Sequence, residues 1–100
     1  MDVLDEINGG KVLQEVITMT KLEREKCAEM LSRAIDYAKQ ANDESKAAWA
    51  AHRSHDALTE NMKLQLCQQH NGFAEGIHDM LVMLDFKHPD MDKLEKLLYE

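Results

Sequence analysis

The sequence predicts an all-α fold, and three observations carry that expectation. First, Lys11 to Asn71 is a run of 61 residues without a glycine or a proline, in a chain of 100. These are the strongest local breakers of regular structure, so their absence favours helix over strands and turns. Second, alternate steps of four and three from Cys27 land on Leu31, Ala34, Ala38, Ala41, Ser45, Ala48, His52, His55, Thr59, Met62 and Leu66, then on Gln69, Phe73, Gly76, Met80 and Met83. None of these seventeen positions is Asp, Glu, Lys or Arg, although 31% of the chain is charged. Chance would leave one of the seven heptad phases that clean in about 1–2% of such sequences. Third, no Lys or Arg occurs from Leu64 to Phe86, where Phe73, Ile77, Met80, Leu81 and Leu84 share one helical face. Val82, Met83 and Phe86 widen that face, and a helix apolar nearly all round must be covered on several sides. The expected architecture is a long central helix, or a helical hairpin, with a coiled-coil-like seam and a C-terminal helix pair. It forms one small domain, with 1–10 as a lead, 11–71 as the long helix or hairpin and 72–100 as the C-terminal module.

Taken in order, residues 2–8 suit a turn or two of helix with Asp2 as cap, and Asn8-Gly9-Gly10 suits a break. Lys11 to Met19 is ambiguous. Its β-branched Val12, Val16, Ile17 and Thr18 allow a strand, whereas Leu13, Val16, Ile17 and Thr20 recur at helical spacing. Thr20-Lys-Leu-Glu23 matches the capping box, in which the Thr hydroxyl and the Glu carboxylate each satisfy a free backbone N–H. A helix can therefore start at Thr20. From there two architectures compete. A continuous helix over 20–70 would be about 75 Å long at 1.5 Å per residue. A hairpin would instead turn at Asn42-Asp43-Glu44-Ser45, stack the Ala34, Ala38 and Ala41 face on Ala48 and Ala51, and place Trp49 at its tip. The seam keeps its phase through 42–45, which favours the continuous helix. His70-Asn71-Gly72 resembles a helix stop, Lys87-His88-Pro89 ends the apolar stretch, and Asp90 suits the cap of a short helix over Met91–Tyr99. So short a helix must dock on the 73–86 segment or on a partner.

Composition narrows the function. The apolar share is 44%, but it includes only five aromatic residues and much alanine, which buries little surface. That favours a protein completed by a second chain, and a homodimer is the expected state. Nineteen acidic and twelve basic residues give a net charge of −7, and the one basic cluster (Lys21, Arg24, Lys26, Arg33) is interleaved with Glu23, Glu25 and Glu29. Direct nucleic-acid binding is not expected of such a face. The longest apolar run, Met80 to Leu84, is five residues, far short of the ~18–20 that span a bilayer. The N-terminus has neither the positive start nor the apolar stretch of a signal peptide, so the expected setting is cytoplasmic, with no membrane partner. Cys27 and Cys67 suit reduced thiols.

No catalytic pattern stands out. His52-Arg-Ser-His55 and Cys67-Gln-Gln-His70 each put two ligand types on one helix face, but on a continuous helix the pairs lie roughly 22 Å apart. His55-Asp56 and His78-Asp79 are adjacent in sequence and should point in different directions on a helix. Glycine-rich phosphate loops and nucleophile elbows are absent from the sequence. The expectation is a protein without catalytic residues, metal or cofactor, working by contact with another protein as an inhibitor, adaptor or assembly factor. Small acidic accessory proteins of bacteria, phages and mobile elements are often of this kind. A purely structural self-associating coiled coil and an acidic occluder of a nucleic-acid-binding enzyme are the alternatives. The residues expected at the interface are Leu31, His52, His55, Met62, Leu66, Phe73, Ile77, Met80, Leu81, Leu84 and Phe86, with His52 and His55 as seam residues facing apolar surroundings.

Overall fold

The computed structural model describes residues 19–100. The expected N-terminal turn over 2–8, the break at 8–10 and the strand-or-helix question over 11–18 lie outside the described residues. Three helices follow in order: α1 (Lys21–Arg53), α2 (Ala57–Met83) and α3 (Asp90–Tyr99). No strand occurs among the described residues, and the all-α expectation holds.

Helix α1 starts where the capping box places it. The Thr20 hydroxyl accepts from the Glu23 backbone N–H at 3.1 Å, and Glu23 Oε1 accepts from the Thr20 N–H at 2.8 Å. The helix then runs unbroken through Asn42–Ser45, so the turn considered there does not form. The continuous helix over 20–70 does not form either. The chain reverses at Ser54–Asp56, and α2 folds back antiparallel along α1.

That reversal is made without glycine. His55 takes a left-handed conformation at φ 61°, and its N–H donates to His52 O at 3.1 Å. The Asp56 N–H donates to Ala51 O at 2.9 Å, which completes a Schellman closure of α1. The Ser54 hydroxyl donates to Ala50 O and Ala51 O as well. Asp56 then opens α2, its Oδ1 accepting from the Thr59 N–H at 3.1 Å. One three-residue connector thus stops one helix and starts the next. The same closure ends α2: Asp85 sits at φ 55°, and the Asp85 and Phe86 N–H groups donate to Val82 O and Leu81 O.

The reversal also resets the helical phase. On α1 the seam and the buried face coincide, with Cys27, Leu31, Ala34, Ala38, Ala41 and Ala48 all buried. On α2 the face turned to α1 runs through Glu60, Lys63, Cys67, His70, Ala74, His78 and Leu81, buried or half-buried. That is one residue out of step with the seam, whose Met62, Gln69, Phe73, Gly76, Met80 and Met83 are exposed. The expected stop at His70-Asn71-Gly72 is overridden, because α2 continues to Met83. A Cβ at Gly72 would meet no atom within 4 Å, so that glycine is on open helix surface rather than in a turn.

Helix α3 docks within the chain. It lies mainly against α1 and seals Leu94 completely, with Leu97, Leu98 and Met91 packed around it. Asp90 is its first residue and makes no side-chain cap. Its N–H donates instead to His88 Nδ1 at 3.1 Å. Asp90 and Asp92 in the first turn and Lys96 in the last complement the helix dipole. The result is a rod of 72 × 20 × 17 Å, with a radius of gyration of 19.8 Å against ~13 Å for a compact chain of this length.

Candidate interaction surfaces

The residues expected at an interface separate into two sets. Leu31, Leu81 and Phe86 are core: together with Cys27, Ala34, Ile35, Ala38, Ala74 and Leu94 they form a cluster of buried side chains among the described residues, and Ile77 packs against its edge. Leu81 has no exposed area, so it offers nothing to a partner. Their burial follows from α3 and the 84–86 turn closing over the open end of the hairpin, which covers them without a second chain. His52 and His55 are not seam residues in apolar surroundings. Both are exposed at the reversal, and His52 Nδ1 lies 3.1 Å from Glu60 Oε2 on the facing helix.

The other set forms a surface. At 100° per residue, Leu58, Met62, Leu66, Gln69, Phe73, Gly76, Met80, Met83 and Leu84 fall within about 60° of one line along α2. Met62 is 54% exposed, Phe73 45% and Met80 39%, and Leu58, Met83 and Leu84 are exposed as well. Leu66 is half-buried. The line carries no formal charge over about 39 Å. It lies on the flank of α2 because the phase reset turns the charged positions 60 and 63 inward. There both are half-buried, and Glu60 lines a groove together with Ala48 of α1.

A smaller apolar groove of about 270 Å³ lies near the reversal, lined by Ser45, Ala48, Trp49, His52, Glu60 and Leu64. Trp49 is 62% exposed and stands edge-on to the His52 ring at 5.9 Å. Helix α3 is too short to reach it.

The polar side chains that could do chemistry are held by structural partners. His70 Nδ1 lies 2.7 Å from Glu44 Oε1 across the hairpin, and its ring stacks on Tyr37 at 5.8 Å. His78 sits at the α2–α3 joint with Nε2 at 2.9 Å from Glu95 Oε2 and Nδ1 at 3.3 Å from Asp79 Oδ1. Adjacent residues on a helix do meet here, contrary to the sequence expectation, with the same imidazole also bound to Glu95 of α3. Burial alone would lower the His78 pKa, but the hydrogen bonds and charges of Glu95 and Asp79 outweigh it and raise the value above 6.5. Donating from both nitrogens at once requires the imidazolium, so the geometry agrees with that direction. Cys67 is half-buried beside Glu44, and burial followed by that charge raises its pKa, which keeps the thiol protonated and unreactive. Cys27 is buried, with its Sγ 4.0 Å from Met19 Sδ. The Thr59 hydroxyl and N–H hold the Asp56 carboxyl below its usual value.

The reversal separates the two candidate half-sites for a metal. His52 turns to Glu60 and His70 to Glu44, and no three His, Cys, Asp or Glu side chains among the described residues converge as a metal would need. No helix among them is long and apolar enough to cross a membrane. No protein-family model, curated protein or solved structure matches this chain.

Proposed function

We propose that this is a non-enzymatic helical protein that acts by protein–protein contact through the outer face of α2. The observation that carries the reading is the uncharged line from Leu58 to Leu84, whose large side chains the described residues leave 39% to 86% exposed, with only Leu66 half-buried. Taking about 200 Å² for a fully exposed side chain of this size, six of them present roughly 700 Å². The largest apolar patch of a typical monomer is ~300–600 Å². The carboxylate partners of His52, His70 and His78 and the raised pKa of Cys67 are in keeping with a role by contact. The Trp49 groove offers a second, smaller contact at the far end of the rod.

The test uses a tagged chain and a tagged Met62→Glu, Met80→Glu double variant. Each is exposed to host lysate supplemented with untagged chain, and bound proteins are identified by mass spectrometry. Both replaced residues are exposed, so helicity by circular dichroism should match the parent. The reading expects at least one protein, the untagged copy included, to be held by the parent and lost from the variant by tenfold or more. Equal recovery on both baits would sink it.

A further inference from the structure

We infer that the outer face of α2 pairs with the same face of a second copy, the two α2 helices running antiparallel and crossing near Asn71. This rests on the reading above and names the occupant of that surface. Three features point to it. The first is area. Roughly 700 Å² of uncharged surface per chain is close to the ~800 Å² per partner of a standard interface, and a second copy would bury it on both sides at once. A charged ligand has nothing to grip there, since the line lacks Asp, Glu, Lys and Arg.

The second feature is the spacing. Leu58 and Leu84 stand equally far from position 71, and so do Met62 and Met80, Leu66 and Gly76, Gln69 and Phe73. An isologous antiparallel pair sets each residue against its mirror position in the other chain. In this register leucine meets leucine, methionine meets methionine, and the stem of Gln69 lies along the Phe73 ring. Between Met62 and Met80 the steps run four, three, four, three, four, the same read from either end, so each step faces an equal one as in an antiparallel coiled coil. A parallel pair would instead set Gly76 against Gly76 and leave a gap.

The third feature is the glycines. In mid-helix each costs about 1 kcal/mol relative to alanine, and no atom of the described residues lies within 4 Å of a Cβ placed at Gly72 or Gly76. A second helix crossing at Asn71 uses both: Leu66 of the other copy fills the space over Gly76, and the backbones approach at Gly72. Among the described residues, the α3 contacts at His78 lie roughly opposite the line, and on α1 the Tyr37 ring meets it at Phe73.

Two measurements test the pairing on the full chain. Light scattering after size exclusion, at tens of micromolar, should give twice the chain mass of 11.5 kDa, and Met80→Glu should return it to 11.5 kDa with helicity kept. In a Cys67→Ala background, Met62→Cys with Met80→Cys should form a covalent dimer on oxidation with copper phenanthroline. Each single cysteine variant should form at least fivefold less. A parent of 11.5 kDa at every concentration overturns the pairing, whether the face is covered by the chain's own first residues or by another protein. So does a dimer that Met80→Glu leaves intact, or single variants that link as well as the double. None of these results touches the contact reading, which the capture experiment decides on its own.

Discussion

At the open end of the hairpin, Leu31, Leu81 and Leu94 are sealed from water between three helices, with Ile35 and Phe86 beside them. Toward the reversal, α1 and α2 meet through Ala41, Ala48 and Ala51, faced by Glu60, Lys63, Cys67 and His70. The helical geometry is the same at both ends, but the source of cohesion is not. Large buried side chains each contribute about 1.5–3 kcal/mol. Alanines contribute far less, so the reversal end leans on the helix closure and the Asp56 cap at Ser54–Asp56 and on imidazole–carboxylate contacts. The contrast teaches that a regular hairpin can hold its stability at one end while the other end is kept in shape by polar contacts.

The strongest way to break that contrast is to make one substitution at both ends. Leu81→Ala should cost about 2–5 kcal/mol in urea unfolding, because a fully buried leucine leaves a cavity. Leu64→Ala, half in water beside Trp49, should cost well under 1 kcal/mol. Equal losses would show that the core is not confined to the open end. A second effect belongs to the reversal half. Glu44→Leu leaves His70 without its carboxylate in a largely buried site and should cost about 1–3 kcal/mol. Adding His70→Leu should restore much of it, since an apolar pair needs no partner. Failure of the double variant to recover would show that the unpaired imidazole is not the source of the loss.

The left-handed positions give a smaller, opposite effect. His55→Gly relieves a conformation that costs a side-chain-bearing residue about 1 kcal/mol, so the thermal midpoint should rise by a few degrees. A fall would mean that the His55 ring contributes more than its backbone costs. The smallest effect concerns pH at the α3 joint. The folded chain binds the His78 proton more tightly than the unfolded chain does. The stability this gives is therefore complete below the unfolded value of ~6.5 and is lost as pH rises through the raised folded value. Unfolding midpoints compared at about pH 5.5 and about pH 8.5 should show a loss at the higher pH that Glu95→Gln reduces. The same slope in parent and variant would remove His78 as its source.

Much of this architecture is legible in the residues. The capping box at Thr20, the alanine face of α1, and a short terminal helix after Pro89 all follow from local chemistry, and the structure carries each of them. The reversal was hidden because its left-handed position is histidine rather than glycine. The usable signal was Asp56, a good N-cap with Thr59 three residues on, preceded by Ser54, which bonds back to the helix it ends. Missing that stop carried the seam across it in the wrong phase. Glu60 and Lys63 on the inner face concealed the true pattern, since charged residues read as outward-facing when their long apolar stems are left out of account. The mismatch is informative in itself: the uncharged line that looked like core on α2 is the surface left open.

The placement of α3 has a consequence for how such a protein could change in size. Because the third helix and the large fully buried side chains occupy only the open end, the inner layers of the arm beyond it are alanine and polar residues. Seven residues added to α1 and seven to α2, on either side of Ser54–Asp56, would move the reversal outward by about 10 Å without shifting a residue of the core. The rod behaves as a ruler with one fixed end, and the distance from the anchored core to the Trp49 tip is a length that insertions of whole heptads can set.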